Sequence, residues 1–435
     1  MFEDHLLLFT GVGAVIVGLS AAALIVWRDL GPVARLTPIQ RVALVVALAG
    51  GVIAFGLKMT VIETLSHTGR DRLAPTLATV EPADPAPTVE VGRPVWQALP
   101  AVAPAPADDP PTPEKVALGR RLFFDPALSR DGSLACASCH DLERAGGADA
   151  RPTAVGIDGK VGTRNTPTVW NAAFQARLFW DGRARSLEEQ ALGPIANPIE
   201  MGADLDDVVG RLRGDPSYVA AFETAFGPGP TIDADRLARA LAAFERTLIT
   251  PDTPFDRFLA GDASALTPQQ IRGMSLFETV GCVVCHAGPG FSRTSLLAPE
   301  AGSSGFRLFP SLASPYAARY RLTDDLGAAR AGRAGLWRIP SLRNVELTAP
   351  YFHNGSVADL TEAVRVMATV QAGRIVGDGP VATQVEWSPE TKRLTRRTPS
   401  PLTEAEVADI VAFLRALTSD RLSGRTKAVT TAGAE

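Results

Sequence analysis

Cys136-Ala-Ser-Cys139-His140 and Cys282-Val-Val-Cys285-His286 contain every cysteine in the chain. Two thiols at this spacing can form thioethers with the two vinyl groups of a haem, and the adjacent histidine then lies under the iron. Zinc is the alternative, taking two cysteines and a histidine from each pentad. Each zinc site would lack a fourth ligand, and zinc knuckles pair their cysteines more compactly. Two of only five histidines fall in these pentads. Two covalently bound haems c are therefore expected, one on Cys136, Cys139 and His140, the other on Cys282, Cys285 and His286.

The irons differ in what the sequence offers their far faces. After His286 the chain has a single histidine, His353 in "TAPYFHNGS", and a single methionine, Met367 in "LTEAVRVMATVQ". Met367 shares an apolar helical face with Leu360, Ala363, Val364 and Val370, so core packing and ligation are both open at this point. Methionine opposite histidine would raise the potential and suit an electron-transfer site. Between His140 and Trp180 there is no histidine, methionine or tyrosine, and Lys160 reads as an exposed loop residue. The first iron is therefore expected to stay open and to bind a small oxidant.

The elements that must position these residues are helical. "TPEKVALGRRLFF" places Thr112 at an N-cap and Pro113 in the first turn. "TPQQIRGMSLF" does the same with Thr267 and Pro268, and Gln270 completes a capping box. Both carry Gly-x-x-Leu-Phe, at Gly119–Phe123 and Gly273–Phe277, shortly before a haem pentad, so the module is duplicated. Ser186 and Thr403 cap further helices, the second with a stripe of Val407, Ile410, Val411, Leu414 and Leu417. Alternating strand patterns are scarce, and the fold class expected is all-α.

The chain has 435 residues, 46% of them apolar, and a net charge of −4, which makes no electrostatic case for nucleic acid. Residues 6–27 carry no charge over a length that spans a bilayer, and residues 42–62 form a second apolar run broken only by Lys58. The arginine-rich loop between them places both termini outside the cytoplasm. Two transmembrane helices are expected over 1–62. Residues 74–113 hold eleven prolines, so 63–111 reads as a Pro/Ala-rich tether. Haem domains over 112–255 and 256–420 follow, then a flexible tail over 421–435.

The segments "KVALGRRLFFDPALSRDGSLACASCH", "RNTPTVWNAAFQARLFWDGRARSLEEQALGPIANPIEM", "GCVVCHAGPGFS" and "IPSLRNVELTAPYFHNGS" resemble the bacterial di-haem cytochrome c peroxidase family, which includes the MauG-type oxidases. The resemblance covers roughly residues 112–420, with its motifs in the family order. It implies two cytochrome c-like helical domains with calcium between them. It makes His140 the proximal ligand of a peroxidatic haem, and His286 and Met367 the ligands of an electron-transfer haem. Trp180 takes the place of the tryptophan between the haems. Gln190, Pro194 and Glu200 match the distal pocket, where reduction of peroxide needs a proton moved between its two oxygens. A desolvated glutamate can relay that proton. Asn165, Thr348 and Pro350 match the calcium site, whose oxygen donors suit a hard cation.

Two departures matter. Many of the peroxidases carry a removable distal histidine where this chain reads "VGIDGK", with Ile157 near that place, and MauG carries a tyrosine where this chain has Met367. The resemblance therefore implies a permanently open peroxidatic haem beside an electron-transfer haem of peroxidase type. The expected function is reduction of hydrogen peroxide to water with electrons from a small cytochrome c or cupredoxin. Alternatives are a MauG-like oxidation of aromatic residues on a partner protein and a non-catalytic membrane-anchored electron carrier. The expected location is the bacterial inner membrane with the haem domains in the periplasm, and a homodimer is compatible with the family.

Overall fold

The computed structural model describes residues 96–423, apart from 144–145, 230–231, 298–304, 313, 329–334, 375, 377–383, 389–392 and 398–400. Helix α1 (Pro113–Phe123) starts where Thr112 accepts a hydrogen bond from the Lys115 N–H, with Pro113 in the turn that needs no amide donor. Four helices follow, α2 (Leu187–Ala196), α3 (Leu205–Gly214), α4 (Pro216–Phe226) and α5 (Ala234–Glu245). Side chains of Ser186, Asp204, Asp215 and Asp233 cap them. After α6 (Pro254–Leu259), α7 (Pro268–Thr279) opens with the Thr267/Gln270 capping box. Then come α8 (Pro315–Arg319), α9 (Leu360–Val370) and α10 (Glu404–Arg415).

The repeat read from Gly-x-x-Leu-Phe is a repeat of packing. Helix α1 lies against α5, and α7 lies against α10. A Cβ on Gly119 would sit 1.8 Å from the Ala240 carbonyl oxygen and 2.9 Å from Phe244 Cβ. On Gly273 it would sit 1.8 Å from the Asp409 carbonyl oxygen and 2.9 Å from Phe413 Cβ. Only glycine lets the backbones approach this closely. The duplication runs further. Asn171 and Asn344 both adopt left-handed backbone, at φ 62° and 60°, and each opens a 3-10 turn. Their N–H groups donate to the carbonyls of Leu248 and Leu417, just past α5 and α10.

Two main cores result. One surrounds Leu122, Phe123, Phe222, Leu237 and Phe244, and the other surrounds Phe255, Phe277, Phe291, Val407 and Phe413. A smaller cluster holds Leu99, Phe174, Leu178, Leu187 and Ala242. From Trp96 onward the proline-rich segment is a packed strap. Trp96 is 6% exposed, with ring centroids 5.7 to 6.3 Å from those of Phe255, Phe277, Phe291 and Phe413. The Leu99 N–H donates to Asp256 Oδ1 at 2.9 Å, and Asp256 forms a bidentate pair with the buried Arg343 guanidinium.

The all-α expectation is corrected by two antiparallel ribbons, β1 (Phe306–Leu308) with β2 (Leu336–Arg338) and β3 (Gln384–Ser388) with β4 (Arg393–Arg397). Strands of three and five residues are too short for a period-two pattern to emerge in sequence. The expected transmembrane hairpin over 1–62 lies outside the described residues. Among the described residues no helix is long and apolar enough to cross a membrane.

Candidate active site

His140 closes a four-residue helical turn, Cys136–Cys139, and its Nδ1–H donates to the Gly147 carbonyl at 3.1 Å. His286 follows the turn Cys282–Val284, and its Nδ1–H donates to the Phe291 carbonyl at 3.0 Å. A carbonyl can only accept, so Nδ1 carries the proton in both rings and Nε2 keeps its lone pair for a metal. Burial lowers the pKa of His140 and pushes that of His286 down to about 4. Both rings are therefore neutral, as a ligand must be. The carbonyls of Pro167 and Pro340, in "TPTVWN" and "IPSLRN", act on His140 and His286 respectively.

The four cysteines are unbridged and partly covered. Burial pushes the Cys136 and Cys282 thiols up to about 12 and Cys139 to about 11. At these three the effect of burial exceeds that of any nearby cation, the opposite of the setting that activates a catalytic thiolate. Among the described residues no three His, Cys, Asp or Glu side chains converge on a common point, so neither pentad gathers its ligands as zinc requires. The donor set fits covalent haem c at both sites.

Glu200 stands beside the first pentad. Its carboxylate is close enough to raise the Cys139 thiol. Burial holds the Glu200 carboxyl above the usual range, against the pull of Asn197 and Arg183. Asn197 Nδ2–H donates to Oε1 at 2.6 Å, which leaves Oε2 to face other partners. A turn after α2 brings Glu200 here, with the Met201 N–H donating to the Pro194 carbonyl. Gln190 and Pro194 lie half-buried on one face of α2, four residues apart. The Ile157 N–H donates to the Glu200 carbonyl at 2.7 Å, and the Ile157 side chain, 1% exposed, packs at Gly202. The "VGIDGK" loop is thus pinned on the Glu200 turn by an aliphatic side chain.

Trp180 is half-buried, and its Nε1–H donates to the Asn165 carbonyl at 2.8 Å. Its own carbonyl accepts from the Arg338 N–H, and Arg338 Nε donates to the Phe179 carbonyl. Strand β2 therefore fixes the loop that carries the indole. Trp180 meets His353 edge-on with centroids 6.5 Å apart, and His353 stacks on Trp337 at 4.0 Å. His353 is buried, burial pushes it down to about 4, and among the described residues its buried Nε2 has no hydrogen-bond partner. Asn165 Nδ2 donates to the Arg151 carbonyl, its N–H donates to the His353 carbonyl, and Thr348 Oγ1 donates to the Val345 carbonyl. Pro350 follows a cis peptide bond after Ala349. Met367 is half-buried on α9, between the buried Ala363, Val364, Ala368 and Val370.

Sequence reasoning passed over the Gly147 and Phe291 carbonyls that orient the histidines, because a backbone acceptor leaves no mark in side-chain spacing. It also passed over Arg338 and the Arg164 fork. Arg164 donates to Asp181 and Asp325, each at 2.7 Å, beside the Trp180 loop. The arginine in "GTRNTP" and the aspartate in "FWDGR" were the available signal.

Residues 113–264 match the family model described as di-haem cytochrome c peroxidase. Cytochrome c peroxidase Ccp of Escherichia coli is 38% identical over 318 residues, 73% of this chain and 60% of that protein. Cytochrome c551 peroxidase of Nitrosomonas europaea is 37% identical over 320 residues, 74% of this chain and 84% of that one. The crystal structure of a MauG-like protein associated with microbial copper homeostasis superposes with a TM-score of 0.60 at 32% identity. That match covers 75% of this chain and 97% of the other. The paired pentads, the duplicated helix packing and these relatives agree, and the chain belongs to the di-haem cytochrome c peroxidase family of oxidoreductases.

Proposed function

We propose that the chain reduces hydrogen peroxide to water on the periplasmic side of a bacterial membrane, drawing electrons from a small cytochrome c or cupredoxin. The observation that carries this reading is a contrast between two similar sites. Both histidines are presented alike, and a half-buried carboxyl with a raised pKa, Glu200, acts on Cys139 of the first pentad. Bound haem supplies the iron at which peroxide is held and through which electrons pass. His140 Nε2 and His286 Nε2 would hold the two irons, and Met367 would be a further ligand of the second. Glu200 accepts the proton of peroxide's near oxygen and returns it to the far one, with Asn197 orienting the carboxylate. The Asn165 carbonyl holds Trp180 by its indole N–H, fixing the ring as a bridge for electrons. Asn165 Oδ1 and the carbonyls of Thr348 and Pro350 offer the oxygen ligands a calcium ion prefers.

Purified holoprotein should oxidise a reduced small cytochrome c on addition of peroxide. Glu200→Gln should slow peroxide turnover by about 100-fold or more, the scale of a lost acid–base group, with both haem spectra unchanged. Full turnover in that variant would remove the relay role. The MauG-like structural relative supports a second reading, in which peroxide drives oxidation of aromatic residues on a partner protein. No turnover with any reduced donor, together with a peroxide-dependent crosslink in a co-purified protein, would favour it.

A further inference from the structure

The duplicated halves can be aligned through their packing contacts, and the alignment exposes one substitution. Phe244 and Phe413 meet Gly119 and Gly273, and the carbonyls of Leu248 and Leu417 receive Asn171 and Asn344. Phe244-Glu245-Arg246-Thr247-Leu248 therefore corresponds to Phe413-Leu414-Arg415-Ala416-Leu417. Leu414 is an ordinary core residue of the second half, 5% exposed. At the same place the first half has a carboxylic acid, Glu245, 6% exposed. Among the described residues nothing is hydrogen-bonded to its carboxyl. A buried carboxyl without a partner is costly where leucine would stabilise the core.

Its position gives it a use. Cys136 packs on the core that holds Leu241, Phe244 and Leu248, and the Glu245 carboxyl between them acts on the Cys136 thiol to raise it. The other charges that reach it are Arg246 and Glu188, which are paired with each other at 2.7 Å. The remaining elements packed on α5 turn their cations elsewhere. Arg121 of α1 lies over Tyr218, and Arg211 and Arg213 of α3 donate to the Ser129 and Ile232 carbonyls. Burial pushes the Glu245 carboxyl up to about 8.

We propose that Glu245 is the proton-holding side chain of the first haem site, its carboxyl taking up one proton when the first haem accepts one electron and releasing it when that electron leaves. An electron added in a poorly screened interior raises the proton affinity of a nearby buried carboxyl, and the added proton cancels the added charge. The second half has Leu414 at the equivalent place, so the two haems respond differently to pH. The proposal rests on haem attachment at Cys136.

The test is a spectroelectrochemical titration of the holoprotein between about pH 6 and about pH 9, with the two haems distinguished by their spin states. The first haem's midpoint potential should fall with rising pH by up to about 59 mV for each tenfold change in proton activity, the one-electron equivalent. The second should be nearly flat. Glu245→Gln should flatten the first response and leave the second as it was. Glu245→Leu copies the residue already accommodated in the other half, and it provides the same comparison if the amide folds poorly. A slope that persists in both variants, or a flat first haem in the parent protein, overturns the proposal. A haem assay finding no covalent haem at Cys136 overturns the attachment reading with it.

Discussion

At the scale of single residues, environment assigns roles that residue type leaves open. Glu200 alone reads as a surface carboxylate. Burial raises its pKa against the pull of Asn197, whose amide holds one of the two carboxylate oxygens. A raised pKa means the carboxylate form grows in only as pH rises through a value above the ordinary glutamate range of about 4.3. The acid limb of kcat/KM for peroxide should therefore lie above that value and vanish in Glu200→Gln. A pH profile retained in the variant assigns the limb to another group. Met367 is the converse case, a residue whose face suggests packing and whose half-exposure suggests ligation. Met367→Leu keeps the volume and should cost less than about 1.5 kcal/mol of stability. Loss of the sulfur should lower the second haem's potential, since methionine ligation raises it. An unchanged potential would make Met367 a packing residue.

At the scale of elements, the informative residue is the glycine in each Gly-x-x-Leu-Phe. Alanine is the better helix former by about 1 kcal/mol, and propensity alone would favour it at Gly119 and Gly273. The 1.8 Å approach of a Cβ to a backbone carbonyl reverses that preference. Gly119→Ala must push α1 off α5, and overpacking of this kind costs roughly 1–3 kcal/mol. Urea unfolding of the variant should show a lower midpoint, and Gly273→Ala should behave alike. A stabilised variant would mean the helix crossing is looser than the structure has it. The caps, the repeat and the pentads were legible in sequence because each is a local pattern of residue types. The ribbons β1–β2 and β3–β4 were not, because three to five residues carry too few alternations and their partners lie at a distance.

At the scale of the whole molecule, the two halves meet on buried polar groups as well as on apolar ones. Thr250 Oγ1 accepts from Asn171 Nδ2 at 2.7 Å and from Asn344 Nδ2 at 3.0 Å, joining the two equivalent asparagines through one fully buried hydroxyl. Thr250→Val keeps the shape and leaves two buried amide donors unsatisfied. The cost should be about 2 kcal/mol or more, the desolvation penalty of such groups. Electron transfer between the haems, followed by rapid-mixing spectroscopy, should slow if the joint sets their spacing. An unchanged unfolding midpoint and transfer rate would show that the apolar cluster around Phe174 and Leu187 suffices.

The two attachment pentads, the helices with their caps and the duplicated order of parts are legible in the chain alone. Thioether chemistry and helix capping depend on residues a few positions apart, and such spacing is written directly in the chain. The folded arrangement was needed to see which carbonyl holds each histidine and that Trp96 is buried in a core. It alone showed that Glu245 occupies the place Leu414 has in the other half. Those outcomes turn on burial and on contacts between distant segments, and a carboxyl or an indole acquires its character only when folding removes it from water.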